Sequence, residues 1–97
     1  MAEDFLTEII RRRAEKNPTF PALVEAAIAR RELLRALAKE REYSGLTQTE
    51  VAAAMGTSQS QIARLESANV DAKLSTVEKL AAVLGKKIEW RILDATE

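Results

Sequence analysis

An amide, a hydroxyl and a guanidinium fall within six residues of one another at Gln59, Ser60 and Arg64. Such groups supply hydrogen-bond patterns rather than reactivity. A glutamine amide matches the major-groove edge of adenine, and an arginine matches that of guanine. Reactive chemistry has little to draw on. The chain contains no cysteine and no histidine, which excludes disulfides, the usual structural zinc sites and any nucleophile activated by an imidazole. Serine, aspartate, glutamate and lysine are plentiful, yet no glycine-rich phosphate loop or metal cluster accompanies them. No catalytic residue, metal or cofactor is therefore expected, and the chain does not read as an enzyme.

The three polar residues need a scaffold, and residues 46–66, LTQTEVAAAMGTSQSQIARLE, provide one. Thr47 and Glu50 form a capping-box signature for a first short helix. Val51 and Met55 fall one turn apart, with Ala52 beside them on the inward side. Gly56 suits a helix end where φ is positive, and either Thr57 or Ser58 starts the second helix. There Ile62 and Leu65 face inward, leaving Gln59, Ser60, Ala63 and Arg64 to solvent. Small Ala52 permits a close helix crossing, and Ile62 locks the pair. Two helices joined by a short glycine turn describe a helix-turn-helix whose second helix enters a major groove. A plain αα-hairpin in a small bundle is the alternative.

Over residues 34–84 this pattern resembles the helix-turn-helix of the Xre family, which includes the lambdoid phage repressors. The resemblance implies a mainly α, lambda-repressor-like bundle that binds an operator in double-stranded DNA. Gln59, Ser60 and Arg64 would read bases, while Gln48, Thr57, Gln61 and Lys73 would meet phosphates. It also implies a buried ion pair between Arg41 and Glu66. Many relatives carry a glycine just after the recognition helix, where this chain has Ala68 and Asn69. Asn69 tolerates the left-handed conformation, so the turn is expected to persist with altered geometry.

Fifteen basic and fifteen acidic residues cancel, which is unusual for a free-standing DNA binder and points to a further partner. One small domain fits 97 residues, but only four are aromatic, so the core should be thin and helped by a second subunit. The opening MAEDFLTEII has neither a basic leader nor a long apolar run, and no stretch could span a bilayer. No membrane association and a cytoplasmic location are expected.

Residues Ala2–Lys16 read as an amphipathic helix, with Phe5 and Ile9, and Leu6 and Ile10, as i,i+4 pairs. Glu3 and Asp4 near its start, and Arg11, Arg12, Arg13 and Lys16 near its end, suit the macrodipole. That basic run either grips an anionic partner or is simply solvated. Asn17 and Pro18 break the helix. A longer helix runs from near Thr19–Pro21 to about Tyr43, with Leu34, Leu37, Ala38 and Arg41 along one stripe, and Gly45 ends it. Ser75 and Glu78 suggest a capping box for a final helix bearing Val77, Leu80, Ala81 and Leu84, closed by Gly85.

The tail switches period: Ile88, Trp90 and Ile92 alternate with Glu89 and Arg91, a strand pattern. A lone strand leaves its backbone groups unpaired, so pairing with the same strand of a second copy, a twofold homodimer, is the economical solution. A tail docked on the helices is the alternative. The chain thus divides into an N-terminal helical extension (1–32), a DNA-binding domain (33–86) and a C-terminal β-strand and tail (87–97).

This arrangement is similar to HigA-type antitoxins, which mask a small basic RelE/HigB-like ribonuclease toxin and repress their own operon as dimers. The resemblance rests on residues 17–52, with their short Asn-Pro-x-Phe stretch. The N-terminal segment exceeds what DNA reading requires, and its apolar Phe5, Leu6, Ile9 and Ile10 are the candidate toxin-binding surface, with the long helix as the other candidate. An Xre-type repressor with no toxin partner is the alternative function.

Overall fold

A computed structural model describes residues 2–67 and 70–94, and side chains from Phe5 onward within them. Five helices follow in order: α1 (Ala2–Lys16), α2 (Phe20–Tyr43), α3 (Gln48–Met55), α4 (Gln59–Glu66) and α5 (Leu74–Val83). Two compact units divide them. One comprises the residues up to Ala29 with those from Ile92 onward, the other Arg30–Arg91.

In the first unit α1 stops where Pro18 forbids continuation. The Asn17 carboxamide oxygen accepts from the Thr19 backbone N–H at 3.2 Å and the Thr19 hydroxyl at 2.7 Å, which turns the chain into α2. Arg13 lies over the Phe20 ring, 5.6 Å from its centroid. Glu8 pairs with Arg11 at 2.6 Å and Arg12 at 3.1 Å, so part of the basic run is tied up in exposed pairs of small energetic weight. Ile9 and Ile10 are half-buried, whereas Phe5, Leu6, Leu23 and Ile28 are exposed.

The hydrophobic core belongs to the second unit. Leu34 and Leu37 of α2 meet Val51 and Ala52 of α3, Ile62 and Leu65 of α4, and Val77, Leu80, Ala81 and Leu84 from α5 and its end. Ala52 is 2% exposed and Ile62 wholly buried, the close crossing that the alanine was expected to permit. Burying a side chain such as Ile62 contributes about 1.5–3 kcal/mol. The turns around this core are built from specific caps. Gly45 ends α2 with φ 74°. Thr47 then caps α3 in a complete capping box, its hydroxyl accepting from the Glu50 N–H at 3.0 Å and the Glu50 carboxylate from the Thr47 N–H at 2.9 Å. Gly56, φ 70°, closes α3, with the Thr57 N–H donating to the Ala52 carbonyl at 2.9 Å. Of the two candidate starts for α4, Ser58 is the one used, accepting from the Gln61 N–H at 3.3 Å.

Two expectations are corrected. Ser75 and Glu78 form no capping box: α5 begins earlier, with Lys73 at the N-cap and no side-chain cap. Ser75 therefore lies inside the first turn, and the Glu78 carboxylate instead accepts from the Trp90 indole N–H at 3.0 Å. The tail is the second correction. Residues 86–94 carry no regular secondary structure, and the strand expected at Ile88, Trp90 and Ile92 is not formed. Among the described residues a single copy has no other strand to complete a ladder. Ile88 packs against the core and Trp90 reaches α5, as in the docked alternative, while Ile92 and Leu93 stay exposed. Ala68 and Asn69, where the altered turn was expected, lie outside the described residues.

Candidate DNA interface

Helix α4 owes its two faces to its sequence. Ile62 and Leu65, three apart, are pinned in the core, so Gln59, Ser60 and Arg64 are held on the exposed side. Ala63 is half-buried. The Ser60 hydroxyl lies 3.1 Å from that of Ser58, the N-cap residue. Gln59 opens the helix and touches α3: its amide N–H donates to the Gln48 amide oxygen at 2.6 Å.

Behind these surface groups a polar cluster joins three helices. The Arg41 Nε donates to Glu66 Oε2 at 2.5 Å and its Nη2 to Glu66 Oε1 at 3.0 Å, a two-pronged pair between the last turn of α2 and the end of α4. The remaining Arg41 prong, Nη1, donates to the Leu46 carbonyl at 2.7 Å. Gln48 completes the carboxylate, donating from Nε2 to Glu66 Oε1 at 2.8 Å. The side chains of Arg41 and Glu66 are 11% and 9% exposed, so the pair lies largely out of water. Burial pushes the Glu66 carboxyl up, but the hydrogen bonds from Arg41 and Gln48 and the charge of Arg41 outweigh it and hold it below its ordinary range. Chiefly through its hydrogen bond to Glu66, Arg41 is pushed up.

A cleft between α4 and α5 gathers Thr57, Gln61, Arg64 and Lys73, and adds Thr76 and Lys79. The last two were not singled out from sequence. Their signal was nonetheless present: Lys73, Thr76 and Lys79 recur every third residue, the spacing of one helix face. Gln48 is half-buried and engaged at both ends of its amide, so it stands between the ion pair and the start of α4 as well as near the surface.

The geometry is that of two helices locked at a glycine turn, the second presenting a polar edge. A family model described as helix-turn-helix matches residues 37–91, more than half of the chain. The chain belongs to the Xre-type helix-turn-helix family. No curated protein and no solved structure matches it. As an Xre-type helix-turn-helix protein it is a DNA-binding transcription regulator. The matched span begins at buried Leu37 and takes in α3, α4, α5 and the docked part of the tail. Among the described residues no helix is long and apolar enough to cross a membrane, and no metal-binding cluster occurs.

Proposed function

We propose that this Xre-type protein reads an operator with α4 and acts as a dimeric antitoxin, masking a small basic RelE/HigB-like toxin while repressing its own operon. The DNA half of the reading is carried by one observation: Ile62 and Leu65 are anchored in the core while Gln59, Ser60 and Arg64 share the exposed edge of α4. Those side chains read bases, and Gln48, Thr57, Gln61 and Lys73 contact phosphate. Phosphate contacts position the helix and carry no sequence information. A single eight-residue helix covers one half-site, so two copies reading half-sites one turn apart, about 34 Å, are needed for a specific operator. The tail supports the dimer: Ile92 and Leu93 are exposed at its end, apolar surface for a second copy to cover.

The antitoxin half is supported by the N-terminal unit, which leaves Phe5 69% and Leu6 58% exposed at i,i+1 beside half-buried Ile9 and Ile10. Apolar anchors of this kind suit a helix laid in a partner's groove. The balanced net charge of the chain agrees with a partner other than DNA. Deleting residues 2–17 tests the reading. A chain that stays folded by circular dichroism and binds operator, but no longer captures a basic toxin encoded next to it, supports the antitoxin. Equal capture by both chains moves the contact to α2, and no capture by either leaves a repressor without a toxin partner. Base reading is tested separately, by Arg64→Ala, which should weaken operator binding by about 1–3 kcal/mol and relax base preference.

A further inference from the structure

A glutamine amide has two ends of nearly equal size, one donating and one accepting, so its neighbours decide which way it faces. In this protein two such amides stand in series, from half-buried Gln48 to Gln59 on the exposed edge of α4. Glu66 Oε1 lies 2.8 Å from the Gln48 amide nitrogen, and the Gln48 amide oxygen lies 2.6 Å from the Gln59 amide nitrogen. The chain of contacts begins at a carboxylate clasped by two prongs of Arg41, and an ionised carboxylate only accepts. Gln48 must therefore turn its NH2 to Glu66 and its oxygen to Gln59. Gln59 must in turn spend one N–H on Gln48, which settles which end of its own amide donates and which accepts.

We propose that Glu66 is a specificity-determining positioning residue, which sets the donor–acceptor polarity of Gln59 through Gln48 without touching DNA. The proposal rests on the reading of Gln59 as a base-contacting residue. Adenine offers an acceptor at N7 and a donor at N6, whereas guanine offers two acceptors. A Gln59 amide held in one orientation meets adenine with both ends matched. A Gln59 free to reverse meets it with donor against donor for part of the time, and its preference flattens. Glu66 thus does two things with one carboxylate. Its bond to Arg41 ties α4 to α2, and its bond to Gln48 fixes the hydrogen-bond pattern shown to a base.

The experiment uses the full chain and duplexes selected by it from a randomised double-stranded library. The base pair read by Gln59 is the one at which Gln59→Ala loses its preference. Four duplexes varying only that pair are then titrated with each variant, and the readout is the ratio of affinities, not their absolute values. Gln48→Met keeps the length of the side chain but breaks the relay, and Glu66→Gln replaces the acceptor-only group with one that can also donate. Both should lower the adenine preference about tenfold while leaving the preference at the Arg64 position unchanged. The exchange Gln48→Glu with Glu66→Gln puts the acceptor-only group directly beside Gln59 and should restore the preference. That recovery also covers the case in which Glu66→Gln alone does not fold.

If Gln48→Met merely removed a phosphate contact, affinity would fall equally on all four duplexes, and the relay would be overturned. A flattened profile in Gln48→Met beside an unaltered one in Glu66→Gln would place the control at Gln48 and remove Glu66 from it. If Gln59→Ala flattens no position, base reading by Gln59 fails, and the relay with it; if it does, the relay stands or falls alone.

Discussion

Removing the Glu66 carboxylate should be among the most damaging single changes in the second unit. Glu66→Ala leaves the Arg41 guanidinium, 11% exposed, without its main partner, and leaves the Gln48 amide nitrogen without its acceptor. Breaking a buried pair by deleting one member costs about 3–5 kcal/mol, because the stranded charge remains. Here Arg41 keeps the Leu46 carbonyl at 2.7 Å and a longer contact to Glu42 at 3.8 Å, so a loss near the lower end, about 3 kcal/mol, is expected. For a domain of this size each kcal/mol lowers Tm by at least about 4 °C, giving a drop of about 12 °C or more. Thermal circular dichroism at one fixed protein concentration measures it. The apolar pair Arg41→Met with Glu66→Leu should recover part of the loss, since it strands no charge. The pH dependence has a definite sign. Glu66 sits below its ordinary value in the folded chain, so its contribution is complete above the unfolded carboxyl range, about 4.3, and disappears as pH falls through the lower folded value. The stability gap between the parent and Glu66→Ala should therefore close in acid. Additive single and double substitutions, with a gap indifferent to pH, would refute a coupled pair.

Further outcomes are expected elsewhere. Ile62→Ala empties the wholly buried centre of the core and should cost about 2–5 kcal/mol, read by chemical denaturation. Lys79→Ala, in the cleft with Arg64 and Lys73, should weaken binding evenly across sequences and reduce the salt slope of operator affinity by about one, while an unchanged slope places Lys79 away from phosphate. Truncation before Ile92 keeps Ile88 on the core and the Trp90–Glu78 contact but removes the exposed end of the tail. If the tail pairs two copies, light scattering should show a monomer with collapsed operator affinity, and an unchanged dimer mass would refute that pairing.

The helix-turn-helix was legible because every local signal agreed with the packing. Thr47, Glu50, Gly56 and Ser58 fix the ends of α3 and α4, and Val51, Ala52, Ile62 and Leu65 carry their inner faces. Arg41 and Glu66 are 25 residues apart, and only the family resemblance connected them. Where signals competed, pattern was a poorer guide. Ser75-x-x-Glu78 has the letters of a capping box, but the core demands of Val77 and Leu80 are met by a helix already under way at Leu74. The alternation at Ile88, Trp90 and Ile92 has the period of a strand. Yet a strand is defined by its partner, and period alone names none. Nor could any reading of single residues have found the Glu66–Gln48–Gln59 series, which exists only once α3 and α4 meet.

Among the described residues, all ten buried hydrophobic ones lie between Leu34 and Leu84, inside the unit that also carries α4. Substitutions between Phe5 and Arg30 therefore change no fully buried position. Selection acting on that stretch is uncoupled from selection on the core, so the two ends of the chain can drift at different speeds. Under the antitoxin reading, a lineage can exchange what its N-terminal helix meets while its operator stays the same, and the reverse path is equally open.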